Sequence, residues 1–511
     1  MTKRSLVLVS LLFILTAATV HAQTFGAVLT PSQETPPTTS NGFGNATFTL
    51  DPTHTSITVN VTVSGLTTPI TLAHIHKAAF GVAGSPLLDL AATTNFANGK
   101  LSKTFTIDKA LGDDIAANPT NYYVNVHTTQ NPGGEVRGQL TLVGDATLLF
   151  AELRGSNERP TPNSSTAVGS ALVTIDNNNV LTYEVNIGGL QNPTLSHIHK
   201  GDANTAGSVV VSLATSSSAF SNGRTKGTTQ VDPTLAADIK ANPGNYYVNV
   251  HSQAFGGGEL RGQLATANEN DIAVAGNVTT GAGDKFVTDT RIFNPSFTTP
   301  AVALVEFLVS GSGGNTNATA SETVVIPARG EAVLDDVTGA NGLNTVGTTG
   351  AIRVTSQNQL DVTSNIFNDQ RSANKGTFGQ FVPGIGRSSE LRRGVVPHLS
   401  NKTRDVTNPS GFRTNIGFFN PNQSSVFVRL ELRDTAGNLL GQSSVTLAPL
   451  SQQQNAITAY FPGVDLSNAS CTLSFDASAP IIVYGAVNDN VSGDSIFVVG
   501  QPDPGVSSSQ L

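Results

Sequence analysis

Six of the nine histidines fall into two matched sets. The first is Leu72-Ala-His-Ile-His-Lys77, answered further along by Asn121-Tyr-Tyr-Val-Asn-Val-His127. The second is Leu195-Ser-His-Ile-His-Lys200, answered by Asn245-Tyr-Tyr-Val-Asn-Val-His251. Each set leads into a Gly-rich turn and a last strand, Pro132-Gly-Gly-Glu-Val-Arg-Gly-Gln-Leu140 and Gly256-Gly-Gly-Glu-Leu-Arg-Gly-Gln-Leu264. Three imidazoles are enough for a metal site, and imidazole suits zinc, copper or nickel. A soluble fold needs no histidine at six matched places, so the duplicated set is the main functional lead.

Strands must position these residues. Side chains alternate across a strand, so His74 and His76 share one face and Ile75 takes the other. Asn125 and His127 likewise oppose Val124 and Val126. With Ile75, Val124 and Val126 in a core, the three histidines lie on the outer face or its rim. They converge if the two strands are neighbours, leaving a position open for water. His197, His199 and His251 repeat the arrangement. Glu135 and Arg137, and Glu259 and Arg261 in the second copy, could orient the ring nitrogens from behind. The same residues support a plainer expectation. The histidines hydrogen-bond backbone and carboxylates and lock loops at one end of a sandwich, with Glu34, Glu135 and Arg137 (Glu158, Glu259 and Arg261) as an internal polar network.

Around these motifs the chain reads as β. Gly44-Asn-Ala-Thr-Phe-Thr-Leu50 and Thr55-Ser-Ile-Thr-Val-Asn-Val-Thr-Val-Ser64 have period two and β-branched enrichment. Asn98-Gly99 and Asn222-Gly223 mark tight hairpins. One short helix is expected per repeat: 108–118, stopped by Pro119, and 232–242, with Asp232 at the N-cap and Pro233 at N1. The copies differ in length near Thr93-Thr-Asn, as a surface loop on a shared scaffold does. From residue 271 the motifs change and a weaker duplication appears. Asp289-Thr-Arg-Ile-Phe-Asn-Pro295 resembles Thr414-Asn-Ile-Gly-Phe-Phe-Asn-Pro421, and Val324-Val-Ile-Pro-Ala-Arg resembles Val445-Thr-Leu-Ala-Pro-Leu. That half holds one histidine, His398, and no defensible catalytic acid pair, so a structural or adhesive role is expected there.

Composition bounds the rest. The 511 residues suggest about three to four domains of ~150 residues. Charged residues are 13% of the chain, well below the usual ~25%, and Gly, Thr, Ser, Asn and Val fill the difference. Net charge is −8 with scattered basic residues, so nucleic acid is excluded as an expected partner. Residues 1–22 read as a secretory signal: Lys3 and Arg4, an apolar run from Leu6 to Val20, then His21-Ala22 before the expected start at Gln23. No later run is long and apolar enough to cross a membrane. Cys471 is the single cysteine, so no intrachain disulfide can form, and a small buried apolar role is expected for it. Sequons such as Asn277-Val-Thr279 would matter only in a glycosylating host.

The first two units resemble CHRD domains, the module repeated in chordin and common in secreted bacterial proteins. The matching elements are Glu34 and Glu158 with their prolines, His-Ile-His, Tyr-Val-Asn-Val-His and Gly-Gly-Glu-x-Arg-Gly-Gln-Leu. The resemblance implies an extracellular β-sandwich module without an established enzymatic activity. The strand bearing His74 and His76 (His197 and His199), after a Gly-Leu turn, is also similar to copper/zinc superoxide dismutase around its copper. The chain departs from that enzyme in having no zinc loop, cysteine pair or further histidine. The expectation is an all-β protein of tandem antiparallel sandwiches: signal 1–22, CHRD units 23–144 and 145–268, Ig-like sandwiches 271–388 and 389–504, tail 505–511. It is secreted, to the periplasm or outside, and is a non-catalytic binding or structural protein with an extracellular protein or glycan as partner. The alternative is a copper- or zinc-binding or redox-active module built on the histidine triads.

Overall fold

Period-two burial turns these segments into sheets. The computed structural model of the protein describes residues 23–503 other than 80, 93–95, 144–145, 177–178, 280–283, 312, 372–375, 403–406 and 465–469. The expected signal at 1–22 and the tail at 505–511 lie outside the described residues. Every ladder among the described residues is antiparallel. Two compact units divide between residues 143 and 144.

The first unit contains β1 (Gln23–Leu29), β2 (Phe43–Leu50), β3 (Ser56–Ser64), β4 (Ile70–Lys77), β5 (Pro86–Ala92), β6 (Lys100–Thr106), α1 (Lys109–Ala117), β7 (Tyr122–Thr128), β8 (Val136–Gln139) and β9 (Thr141–Val143). They form two sheets, ordered β6-β3-β2-β1-β9 and β5-β4-β7-β8. Phe25, Phe48, Ile57 and Val59 of the first sheet pack in one core with Ile75, Val124, Val126 and Val136 of the second. Each such burial is worth about 1.5–3 kcal/mol before entropy is counted. Asn98 and Gly99 have φ of 50° and 74°, the positive pair a tight hairpin turn requires. The helix is tied to the histidine strands, because Asp114 accepts from Tyr122 Oη and pairs with Lys77 at the end of β4.

In the second unit the same strands recur in the same order around a second core. Their two sheets are joined through the pair Arg154↔Arg261, which corresponds to the bridge Thr30↔Arg137 in the first copy. The helix Pro233–Ala241 is capped by Asp232, whose side chain accepts from the backbone N–H of Thr234 and Leu235. The length difference between copies falls at 93–95, outside the described residues, opposite a short turn at Ser217–Ala219.

Two further sets of facing sheets follow. The first includes Asn268–Gly276, Ala301–Val309 and Thr349–Ser356 on one side and Lys285–Phe293 and Asp361–Asp369 on the other. In the last, the 19-residue strand Cys471–Asp489 begins in one sheet and ends in the other. The weak duplication has a structural meaning. Asn294 donates to the carbonyls of Thr299 and Ile326, and Asn420 to those of Ser424 and Ala448, so each Asn-Pro pins a strand end in its sandwich. Cys471 is buried, its thiol pushed up to about 11 by burial. Asn277, the expected sequon residue, is also buried, its amide nitrogen bonded to both oxygens of Asp336.

The two copies differ on their outer face. Where Gly26 pairs with Thr47 in the first, Phe150 pairs with Leu172 in the second. Phe150 and Leu172 pack on Leu304 of the following sandwich, and Ser170 bonds Thr323 at 2.7 Å. We therefore expect residues 23–143 alone to be a folded monomer and residues 145–268 alone to self-associate through the uncovered Phe150 and Leu172. Sedimentation equilibrium checks this. Leu172→Thr, copying the first repeat, should restore the monomer; equal behaviour of both fragments contradicts the assignment of that face.

Candidate metal centre

The pairing of β4 with β7 places Leu72 opposite His127, His74 opposite Asn125 and Ile75 opposite Val124. Ile75, Val124 and Val126 fill the core, so the histidines lie on the other face. On its other edge β4 has register irregularities against β5 between Ala73 and His74 and again between Ile75 and His76. The second copy has both irregularities at the matching places. Bulges re-aim side chains, and these two flank each histidine of the pair.

The three imidazoles meet. Candidate ligand nitrogens of His74, His76 and His127 lie within 4.8 Å of one another, as do those of His197, His199 and His251. His74 Nδ1 is 3.0 Å from His127 Nε2, and His197 Nδ1 is 3.4 Å from His251 Nε2. Tetrahedral zinc with ~2.05 Å bonds needs ligand nitrogens about 3.3 Å apart.

Backbone carbonyls set the tautomers. His76 Nδ1 donates to Gly84 O at 2.9 Å and His127 Nδ1 donates to Pro132 O at 3.0 Å. Both rings therefore present the Nε2 lone pair to the centre when neutral. His199 and His251 do the same through the carbonyls of Gly207 and Gly256. His76 Nε2 and His199 Nε2 are buried and take no hydrogen bond. Burial pulls His76 and His199 below the ordinary histidine range and takes His127 and His197 down to about 4. Lone pairs are thus available at neutral pH without competition from protons.

The two residues expected behind the rings act elsewhere, which corrects that part of the sequence reading. Glu135 accepts from Thr67 N, Thr67 Oγ1, Ser40 Oγ and Thr128 Oγ1, and so fastens the Gly-rich turn to two loops. Glu259 accepts from Ser165 Oγ. Arg137 lies 3.4 Å over the Tyr123 ring, and Tyr123 stacks on His76 at 4.7 Å. Its guanidinium donates to the carbonyls of Val82 and Ala79, which holds down the loop over His76. Arg261, Tyr247 and His199 repeat the stack. Neither carboxylate nor guanidinium reaches an imidazole nitrogen because the loop carbonyls occupy those positions.

Sequence reasoning did not single out Tyr123 and Tyr247, Gly84 and Gly207, or Asp89. The tyrosines stand inside the duplicated motif, and the glycines share an Ala-Gly-Ser in both copies, so a signal was present. A Cβ at Gly84 would sit 2.3 Å from Lys77 O, and at Gly207 1.7 Å from Lys200 O, so glycine alone lets the loop carbonyl reach the ring. Asp89 Oδ1 lies 3.4 Å from His74 Nε2; Ser212 occupies the matching position in the second copy.

A scan against family models matches the CHRD domain at residues 25–140 and again at 149–264. Two CHRD domains stand in this chain. No curated protein matches it. Among solved structures, "Crystal Structure of Thermotoga maritima 1070" is 8% identical, with 22% of this chain and 96% of that one covered at a TM-score of 0.19, which carries no argument.

Beside the histidine-bearing face of each CHRD domain sits a buried acid. Glu34 accepts from Asn125 Nδ2 at 3.3 Å, and Glu158 accepts from Asn249 Nδ2 at 2.9 Å. Burial pushes both carboxyls up to about 7, against the pull of Arg137 and Arg261. Between the ordinary value of 4.5 and about 7 the folded chain holds protons that the unfolded chain has released. The carboxyls' contribution to stability should therefore be greatest below that window, fall as pH rises through it and level off above. It is opposite in sign to the contribution of the histidines, whose lowered values favour the fold as pH rises towards 6.5. The loss is on the order of 2 kcal/mol per carboxyl after allowing for solvent screening. Denaturant melts in chelator from about pH 4.5 to 8 measure it as the difference between the parent and the Glu34→Gln, Glu158→Gln variant. The parent should lose stability relative to the variant as pH rises.

The turn next to this pair gives a sharper test. Gly134 and Gly258 both have φ of +129°, and a Cβ on Gly134 would fall 2.4 Å from the Asn125 amide. Gly133 and Gly257 have open space around them. Gly134→Ala should cost more than about 1 kcal/mol in a urea melt while Gly133→Ala is near neutral. Equal costs would contradict the turn geometry.

Proposed function

We propose that this chain is an exported, non-catalytic binding protein whose CHRD domains each hold one zinc or copper ion on three histidines. His74 Nδ1, His76 Nε2 and His127 Nε2 would bind in the first domain, and His197 Nδ1, His199 Nε2 and His251 Nε2 in the second. The observation that carries this reading is the inward, unbonded Nε2 of His76 and His199 beside two further imidazole nitrogens, with the opposite ring nitrogen tied to a backbone carbonyl. A buried acceptor without a donor is costly, and a cation removes that cost. Three neutral nitrogens leave a position open for water or for a group on a protein or glycan partner. The export reading rests on the charged start and apolar run of residues 1–22. The two later sandwiches, at 271–388 and 389–504, serve in this reading as Ig-like structural or adhesive modules.

A second reading has its own support. The His74–His127 hydrogen bond and the carbonyl bonds of His76 and His127 tie two loops to the paired strands without any ion. Calorimetric titration of the chelator-stripped protein with zinc and copper separates the two. Metal binding predicts two ions per chain, a raised melting temperature and affinity that falls as the histidines protonate. His127→Ala with His251→Ala should abolish uptake and leave a folded apo protein. Absence of stoichiometric uptake at neutral pH leaves the histidines as scaffold.

A further inference from the structure

A second donor cluster is built from residues outside the histidine sets, where the second CHRD domain passes into the following sandwich. Glu269 and Asp271 are two residues apart on the strand Asn268–Gly276 and so share a face. The short strand Ile385–Gly386 pairs with Asn270 and Asp271, and the turn Arg387–Ser389 then delivers Glu390 to the same place. Carboxylate oxygens of the three residues lie within 4.8 Å of one another. All three side chains are buried, and Asp271 is 0% exposed.

The cations beside this cluster are shared. Glu269 pairs with Arg387 at 3.2 Å and with Arg353 at 3.7 Å, while Arg353 is also engaged by Glu306 at 2.9 Å. Glu269, Asp271 and Glu390 thus stand together in the interior, beside guanidiniums that other carboxylates also use. Neither oxygen of Asp271 accepts or donates a hydrogen bond. A proton shared between Asp271 and a neighbouring carboxylate lowers the charge, whereas a divalent cation both compensates the charge and gives Asp271 a partner.

We propose that Glu269, Asp271 and Glu390 bind a calcium-class divalent cation that clamps the junction between the second CHRD domain and the two sandwiches that follow. Oxygen-only donors favour a hard cation over the zinc or copper of the histidine sites. Calcium accepts irregular sets of carboxylate oxygens contributed by separate segments, as Glu269, Asp271 and Glu390 are here. Magnesium demands a near-ideal octahedron and gives up its waters reluctantly, so a buried set of three carboxylates suits it less well. The ion would join the strand that leaves the CHRD domain to the segment that enters Leu391–Leu399. This inference is independent of the histidine reading.

The test uses the full chain from residue 23, stripped with chelator and titrated by calorimetry with calcium chloride, magnesium chloride and zinc chloride in turn. One calcium ion per chain is expected, in the sub-millimolar to millimolar range typical of extracellular sites, with a raised melting temperature and a weaker magnesium response. Asp271→Asn should weaken calcium binding at least tenfold and leave zinc uptake as in the parent. Glu390→Gln should do the same and serves if Asp271→Asn does not fold. Absence of calcium heat and of any melting shift up to about 10 mM overturns the proposal. So does a variant that keeps the parent's calcium affinity, since the cluster would then hold protons instead of an ion.

Discussion

The register between Ile70–Lys77 and Tyr122–Thr128 is the constraint on which the rest of each CHRD domain depends. Shifting it by one residue would carry Ile75, Val124 and Val126 out of the core and bury the imidazoles in their place. Apolar burial therefore fixes where the histidines stand. The core needs these three aliphatic side chains inward, and alternation then forces His74, His76 and His127 outward together. Fold stability and site geometry follow from one pairing.

What lies over the histidines is held by unusual means. A guanidinium, a phenol and an imidazole stack in series, Arg137 on Tyr123 on His76, and the guanidinium donates to the loop that covers the ring. A buried arginine is costly unless its donors are used, and here backbone carbonyls use them. Glu135 does comparable work at the other edge, accepting from three hydroxyls and one backbone amide. The polar residues of the last strand thus act on loops, and the loops act on the rings. A Gly84 carbonyl and a Pro132 carbonyl are the groups that orient the imidazoles.

Duplication kept this arrangement and let the outer surface diverge. Both copies retain the bulge just before each histidine of the His-Ile-His strand, the stack, the carbonyl contacts and the positive φ of Gly134 and Gly258. The second alone has Phe150 and Leu172 on its outer sheet, and there the following sandwich packs. Beyond it, the sandwiches share core residues, with Phe419 and Tyr484 of the last packed among those of its predecessor. One copy stands as a unit by itself; the other is built into a larger one.

Much of this was legible in the amino-acid order. Period-two runs, Asn-Gly turns, the Asp232-Pro233 helix start and the internal repeats are local signals, and each formed the element expected of it. The histidines could be assigned to one face because alternation is a property of a strand alone. Their meeting could not, since it depends on which strands become neighbours. Assigning Glu135 and Arg137 to the rings failed for a related reason: a shared face says nothing about which loop will fold over it. The Glu269, Asp271 and Glu390 cluster left no trace in the sequence, because Glu390 is more than a hundred residues from the other two and only sheet pairing brings it back. Local sequence determined the strands, their faces and the repeated motif. Tertiary structure decided the contacts, because a contact depends on the free energy of the whole packed domain.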